Sequence, residues 1–457
     1  MINSAGHLPN RKAYIVSLGC SKNRVDTEAM IGQLFRAGYQ VTNDLQQAGV
    51  AIVNTCGFLQ ESVKEALSEI KAIARHKGKC GFRMVVTGCL VQRIGKKLQH
   101  QIPEIDALVG VHGYKDIVAA VAGKMGRSLS SAACQYSAGF YHNRILTTGP
   151  GWAYLRIADG CNNNCAYCLI PGIRGKFRSR SMAEIVAEAK ILASRGVKEI
   201  NLIAQDTTDY GLDLYGERKL GDLLMRLDKI KGLEWIRLLY THPAHYDQKL
   251  IRALAHSSKT VKYLDIPLQH SEDLILRAMN RRFNRGKSES LISDLREKLP
   301  GLAIRTTFMT GFPGESKSEF ERLTKFVSRQ KFEKLGVFAF SPEPGTKAYN
   351  LERQVAPAVR QKRRKELMRL QQKISYHCNI LRVGKTYQVL VEGPVLKNSA
   401  VLARKGFSYY GRSYAEAPEV DGKIYIKTKE PLIPGEFLNI KINRAWDYDL
   451  GGISVPQ

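Results

Sequence analysis

No stretch of this chain approaches the roughly 20 consecutive apolar residues that a membrane helix requires, and the opening MINSAGHLPNRK lacks the apolar core of a secretory signal. Both absences predict a soluble, cytoplasmic protein without a membrane partner. There is no tandem repeat and no low-complexity tract, so solenoid, fibrous and disordered architectures are excluded. Neither a GxGxxG dinucleotide fingerprint nor a GxxxxGK[ST] phosphate loop occurs, which removes the commonest nucleotide-binding motifs. Acidic residues are scarce, with 42 Asp plus Glu against 70 Lys plus Arg and a formal charge of +28. Clustered cations attract phosphate, so the imbalance favours RNA or the ribosome as a partner. A basic enzyme with no such partner is the plainer alternative.

What is present is a globular chain of 457 residues, 44% hydrophobic and 25% charged, long enough for about three domains of roughly 150 residues. In residues 1–150, four short apolar runs (Ala13 to Leu18, Val50 to Asn54, Met84 to Thr87, Ala107 to Val111) alternate with helical patterns. That rhythm predicts an α/β domain on a parallel sheet, with ligands at the carboxyl ends of its strands. Residues 151–382 repeat the beat in six strand-like runs, from Ala153 to Ala158 through Leu335 to Ser341, as in a complete or partial (β/α) TIM-like barrel. A basic stretch, Arg360 to Lys373, closes this region as a connecting helix with Leu367, Leu370 and Ile374 on one face. Residues 383–457 alternate in short segments broken by Gly and Pro, which predicts a small β-barrel.

Nine cysteines in a reducing compartment read as metal ligands, catalytic thiols or small buried hydrophobes rather than disulfides. Cys161, Cys165 and Cys168 form a CxxxCxxC just after the first strand of the barrel region. Three thiolates so close can ligate three irons of a [4Fe-4S] cluster and leave the fourth open. A zinc knuckle or redox CxxC is the alternative, but zinc wants a fourth Cys or His nearby and the local sequence offers none. Cys20 (SLGC), Cys56 (NTCG) and Cys89 (VTGC) each end a strand-like run and each adjoins a glycine, which admits a close approach of backbone to a ligand. Strand ends on one sheet edge bring such thiols together. Taken alone, three buried strand-end cysteines remain possible. Cys80, Cys134 and Cys378 lack that setting and read as structural.

Two triads of cysteine followed by a small β-barrel resemble the radical S-adenosylmethionine (SAM) methylthiotransferases over nearly the whole chain. The segments SLGCSKNRVDTE, NTCGF, ADGCNNNCAYCLIPGIRGKFRSR, LIAQDTTDYGLD and GRSYAEAPEVDG resemble the RimO branch of that family. The resemblance implies a methylthiotransferase N-terminal domain with its own cluster on Cys20, Cys56 and Cys89, a radical SAM core with a cluster on Cys161, Cys165 and Cys168, and a C-terminal TRAM domain. Its cofactors are then two [4Fe-4S] clusters and SAM, whose amino and carboxylate groups chelate the open iron and whose reductive cleavage yields a 5′-deoxyadenosyl radical. The implied substrate is an aspartate of ribosomal small-subunit protein S-twelve. Ribosomal RNA and an electron donor are the further partners. Methylthiolation of a tRNA adenosine beside the anticodon is the runner-up.

The chemistry fits such cofactors, because an unactivated aliphatic C–H is too weak an acid for any side-chain base and needs a radical route. Tyr167, before the third cysteine, is implied to border SAM's adenine, or else packs the barrel. Gln205 and Asp206 end the second barrel strand, where they would reach SAM or substrate or cap a loop. Gly311 to Glu315 (GFPGE) lines the SAM site or starts a helix, with Ser316 and Glu319 at capping-box spacing. Arg174, Lys176, Arg178 and Arg180 could contact RNA or form a solvated loop. Glu416, Glu419 and Asp421 form an acidic loop in a C-terminal region of only +2. They are read as recognising the basic substrate protein, against a plain solvated turn.

Overall fold

The computed structural model describes residues 11–125, 139–396 and 406–456, so Cys134 lies outside the described residues. Near the N-terminus, β1 (Lys12–Ser17), β2 (Gln40–Thr42), β3 (Val50–Thr55), β4 (Arg83–Gly88) and β5 (Ala107–Val109) form one parallel sheet in the order β2-β1-β3-β4-β5. In such a sheet the chain reverses its direction of winding between β1 and β3, which opens a crevice at their carboxyl ends. The register sets Ser17 beside Asn54 and Thr55 beside Gly88, so the three strands finish level. The cysteine loops leave from there. Cys20 precedes helix α1 (Ser21–Arg36), Cys56 lies between β3 and α2 (Gln60–Cys80), and Cys89 opens α3 (Cys89–Gln101). The short edge strand β2, absent from the sequence reading, contributes only Gln40, Val41 and Thr42.

The second sheet begins with β6 (Trp152–Arg156). A two-stranded ribbon follows, β7 (Ala158–Asp159) paired with β8 (Arg178–Ser179), and the CxxxCxxC loop runs between its strands. Next come β9 (Glu199–Ile203), β10 (Trp235–Leu238), β11 (Thr260–Asp265), β12 (Ala303–Thr310) and β13 (Lys334–Ala339). All six long strands are parallel, and they lie in chain order from β6 to β13 without closing. This is the partial barrel. Its strands β6, β9 and β10 are buried along their whole length, as parallel strands covered on both faces must be.

The long helix Pro357–Ile380 packs on β12 and β13. Its most buried residues recur every fourth position (Leu367, Gln371, Ser375, Asn379), while Leu370 and Ile374 are only partly covered. The buried seam is therefore mostly polar, and Gln371 donates to the Phe332 carbonyl at 2.8 Å. Strands β14 (Thr386–Pro394), β15 (Tyr409–Arg412), β16 (Ile424–Lys427), β17 (Phe437–Ala445) and β18 (Leu450–Ser454) close into a barrel in the order β14-β15-β16-β18-β17. Alternating inward residues such as Val389, Val391, Ile424, Ile426, Ile440 and Ile442 fill it. Among the described residues no helix is long and apolar enough to cross a membrane.

Candidate cluster site

Glycine shapes the first cysteine triad. Gly19 sits at φ +94°, and a Cβ there would lie 2.7 Å from Cys56 Cβ. Gly88 sits at φ +100°, and a Cβ would meet Asn54 Oδ1 at 2.4 Å. The glycines thus let neighbouring loops close on one another, rather than leaving room for a ligand at those positions. Asn23 ties the loops together, donating to the Leu18 carbonyl at 3.0 Å and the Thr55 carbonyl at 2.9 Å.

Both triads face one cavity of about 340 Å³, lined by Cys20, Cys56, Cys89, Cys161, Cys165 and Cys168, with Tyr167, Gln205, Asp206, Tyr240, His242, Gln269 and Arg281 among the remaining walls. Residues 141 positions apart in sequence, Cys20 and Cys161, share that space because the carboxyl ends of the two parallel sheets are apposed. Tyr240 (φ +57°) and Gln269 (φ +70°) hold left-handed backbone that costs a non-glycine residue energy, and both line the cavity.

The donor set fits iron–sulfur clusters. Burial pushes the Cys161 and Cys89 thiols up to about 11 and Cys168 up to about 12, so their thiolates need a cationic centre to form at neutral pH. Cys20 differs: burial opposes ionisation, but Lys22, Arg174 and backbone N–H groups outweigh it and its pKa is lowered. Donors already face the sulfurs. Asn163 N–H lies 3.4 Å from Cys161 Sγ, Ile170 N–H 3.5 Å from Cys168 Sγ and Arg281 Nη1 3.8 Å from Cys165 Sγ. Tetrahedral zinc would hold thiolates about 4 Å apart. Among the described residues the only trio of candidate ligands within 4.8 Å of one another is Asp206, His242 and His245, so neither cysteine triad is that tight.

That trio is a polar clamp. Asp206 Oδ2 accepts from Asn163 Nδ2 at 2.7 Å, while Oδ1 accepts from Thr208 Oγ1 at 2.6 Å. Burial would raise the Asp206 pKa, but His245 and Thr208 hold it near 2. His242 is pushed down to about 2 by burial and by Arg281, so it is neutral, and its Nδ1 accepts from Ala244 N–H at 3.2 Å. Gln205 donates to Asp159 at 2.9 Å, and at the cavity wall its buried Oε1 has no partner among the described residues. Tyr167 also lines the cavity and meets Phe312 edge-on at 6.5 Å. The GFPGE turn is not among the lining residues; it leads into the helix Lys317–Gln330 through the expected capping box of Ser316 and Glu319.

Two readings are corrected. Arg174 and Arg180 are buried and internally paired, Arg174 with Asp26 and Asp159 and Arg180 with Glu188, so neither is an RNA contact; only Lys176 of that run is exposed. The acidic loop is also not an open recognition surface. Glu416 is 2% exposed and pairs with Arg382 and Lys334, and Asp421 pairs with Arg305 at 2.6 Å and accepts from Tyr263 at 2.7 Å. Glu419 keeps some exposure but pairs with Arg24 at 2.9 Å and accepts from Tyr154 at 3.0 Å. Most of these partners belong to the partial barrel, its closing helix and α1, so the acids dock the small barrel onto the rest of the chain.

Three family models cover most of the chain: the uncharacterized protein family UPF0004 over residues 12–110, the radical SAM superfamily over 155–327 and the TRAM domain over 383–455. The "Ribosomal protein uS12 methylthiotransferase RimO" of Acetivibrio thermocellus is 43% identical, covering 98% of this chain and 99% of that protein. The protein of the same name from a Thermoanaerobacter species is 44% identical, covering 96% and 98%. The chain belongs to the RimO family of radical SAM methylthiotransferases. It is an enzyme of a family built on SAM and [4Fe-4S] chemistry. RimO-family membership also explains the fold likeness to two more distant structures. The radical SAM methyltransferase TsrM from Kitasatospora setae, with cobalamin and a [4Fe-4S] cluster, matches with a TM-score of 0.53 at 15% identity, over 74% of this chain and 77% of that one. The cobalamin-dependent radical enzyme OxsB matches with a TM-score of 0.52 at 10% identity, over 80% and 56%.

Lys22, Tyr240, Gln269 and Arg281 escaped the sequence reading. Lys22 alone had a signal there, two positions after Cys20.

Proposed function

We propose that this chain attaches a methylthio group to the β-carbon of an aspartate in ribosomal protein uS12, holding one [4Fe-4S] cluster on Cys161, Cys165 and Cys168 and a second on Cys20, Cys56 and Cys89. The shared cavity carries the reading. Each triad supplies three thiolates, so each cluster keeps one iron free for an exogenous ligand, and both free irons would open into the same space. When bound, the clusters and SAM supply the one-electron chemistry and the sulfur and methyl groups.

The chain's own residues position and shield. N–H donors of Asn163 and Ile170 stabilise charge on the Cys161 and Cys168 sulfurs. Gln205 offers its unpartnered Oε1 to a donor group of SAM. Tyr167, Phe58, Ile170 and Pro267 supply apolar wall that excludes water from reactive groups. The uS12 substrate follows from the names of relatives that match over nearly their full length. Ribosomal RNA near the exposed Lys176, an electron donor and a cytoplasmic location complete the proposal.

Mass spectrometry of small-subunit proteins and of tRNA, from cells with and without the gene, tests it. Loss of a methylthio group from uS12 alone is the expected result. Loss from a tRNA adenosine instead overturns the substrate assignment.

A further inference from the structure

Three cationic side chains line the cavity between the triads, and two are already committed. Arg174 is held by Asp26, Asp159 and Asn23, and Arg281 donates to the Pro267 carbonyl at 2.7 Å and faces Cys165. Lys22 is the exception. It is 8% exposed, yet among the described residues its Nζ makes no hydrogen bond or ion pair; it rests 3.2 Å above the centre of the Tyr240 ring. Asp265 feels its field but gives an oxygen to Tyr240 N–H at 3.0 Å. The Lys22 field favours the Cys20 thiolate, but its N–H donors meet no acceptor among the described residues, and burying charged donors unsatisfied is costly. A cation–π contact offsets only part of that cost.

The site is built to hold this cation in place. Cys20 caps α1 and Lys22 stands in its first turn, so the ammonium is fixed beside the first triad. Tyr240, from the end of β10, has left-handed backbone, and its hydroxyl meets Ser21 Oγ at 3.1 Å. The ring and the ammonium therefore span the junction of the two sheets where the cysteines converge.

We propose that Lys22 is a specificity residue that binds the carboxylate of the substrate aspartate. This inference rests on the proposed uS12 reading. An aspartate carboxylate is one bond from the β-carbon, so an ion pair with Lys22 would fix the reacting carbon within the space both triads face. A charge fixed at a buried position discriminates strongly against a neutral isostere, since the wrong partner leaves its donors unmet.

The test is equilibrium binding of purified uS12, and of uS12 carrying Asn at the modified position, to anaerobically reconstituted enzyme. Wild type is expected to prefer Asp over Asn by about tenfold or more. In Lys22→Met the Asp form should weaken to the level of the Asn form, while Lys22→Arg keeps the preference. SAM affinity and iron content are measured on the same samples. The inference is overturned if Lys22→Met weakens both uS12 forms equally, weakens SAM instead, or keeps the preference. Should Lys22→Met fail to load its clusters, Lys22→Gln against Lys22→Arg decides the same question by the same ratio. If wild type binds neither uS12 form, the uS12 reading itself fails, which is a separate result.

Discussion

Arg174, from the turn that follows CxxxCxxC, meets Asp26 of α1 at 3.1 Å in a seam where both side chains are 1% exposed or less. The same guanidinium reaches Asn23 Oδ1 at 2.7 Å, and Asn23 in turn holds the loops of Cys20 and Cys56. A second arginine, Arg156, reaches Asp26 at 2.7 Å. The loops of the two cysteine triads are thus joined by one buried charge network. Removing one member of a buried ion pair typically costs about 3–5 kcal/mol, because its partner is left charged and unsolvated. Arg174→Met should lower the unfolding free energy by that order and quicken proteolysis between the first two sheets. Denaturant unfolding read by fluorescence, together with limited trypsinolysis, checks both. An unchanged midpoint would mean that Arg156 alone holds the seam.

Iron stoichiometry separates the triads. Replacing Cys161, Cys165 and Cys168 with Ala should remove about half of the iron and abolish SAM cleavage. Replacing Cys20, Cys56 and Cys89 should remove the other half and leave some cleavage. Anaerobic metal analysis with an assay for 5′-deoxyadenosine reads both. Zinc in place of iron would sink the cluster assignment.

The strands were legible because each is a short apolar run bounded by turn residues, and the observed β3, β4 and β13 fall within about two residues of those runs. Of the six cysteines that line the cavity, Cys161, Cys165 and Cys168 stood out by their spacing, whereas strand-end placement left Cys20, Cys56 and Cys89 open and only the family resemblance joined them. The strand order β2-β1-β3-β4-β5 was not, since nothing local specifies which strands pair. Charged residues misled most. Arg174 and Glu416 look in sequence like members of solvated loops, and their burial depends on partners such as Asp26 and Arg382, 148 and 34 residues away. Lys22 shows the same blindness in reverse, as an ordinary lysine in sequence whose buried N–H donors meet no acceptor among the described residues.

Docking of the small barrel should fail in acid. Burial alone would raise the carboxyl pKa values of Glu416 and Glu199. Arg382 and Lys334 at Glu416, and Arg412 and Arg237 at Glu199, outweigh it, so both lie below the usual value of 4.5. A carboxyl whose folded pKa is depressed contributes stability that is full above its unfolded pKa and lost as pH falls through the folded one. Barrel docking is therefore expected to hold at neutral pH and weaken progressively below about pH 4.5. Glu416→Gln should mimic that loss at pH 7, costing about 3–5 kcal/mol. Trp235 of β10 packs edge-on against Phe437 of the barrel at 4.6 Å and supplies a fluorescence reporter across the junction. A pH-independent signal between pH 7 and 3 would refute the docking role.

Asp206 is expected to guard one cluster and not the other. Its Oδ2 holds Asn163 at 2.7 Å, and Asn163 presents its backbone N–H to Cys161 Sγ at 3.4 Å. Losing the carboxylate frees Asn163 and leaves His245, now 3.0 Å from Asp206, with Asp209 at 3.1 Å as its remaining acid. Asp206→Ala should therefore loosen the CxxxCxxC loop while leaving the Cys20, Cys56 and Cys89 loops, which Asn23 holds, as they are. The measurable consequence is selective lability. On controlled exposure to oxygen, the variant should lose the core cluster roughly fivefold faster than wild type, as the loss of one hydrogen bond worth about 1 kcal/mol implies, while the N-terminal cluster decays at the wild-type rate. Electron paramagnetic resonance on the variant and on each cysteine-to-alanine triple variant assigns the two signals. Equal acceleration of both decays would show that Asp206 acts on the whole cavity rather than through Asn163.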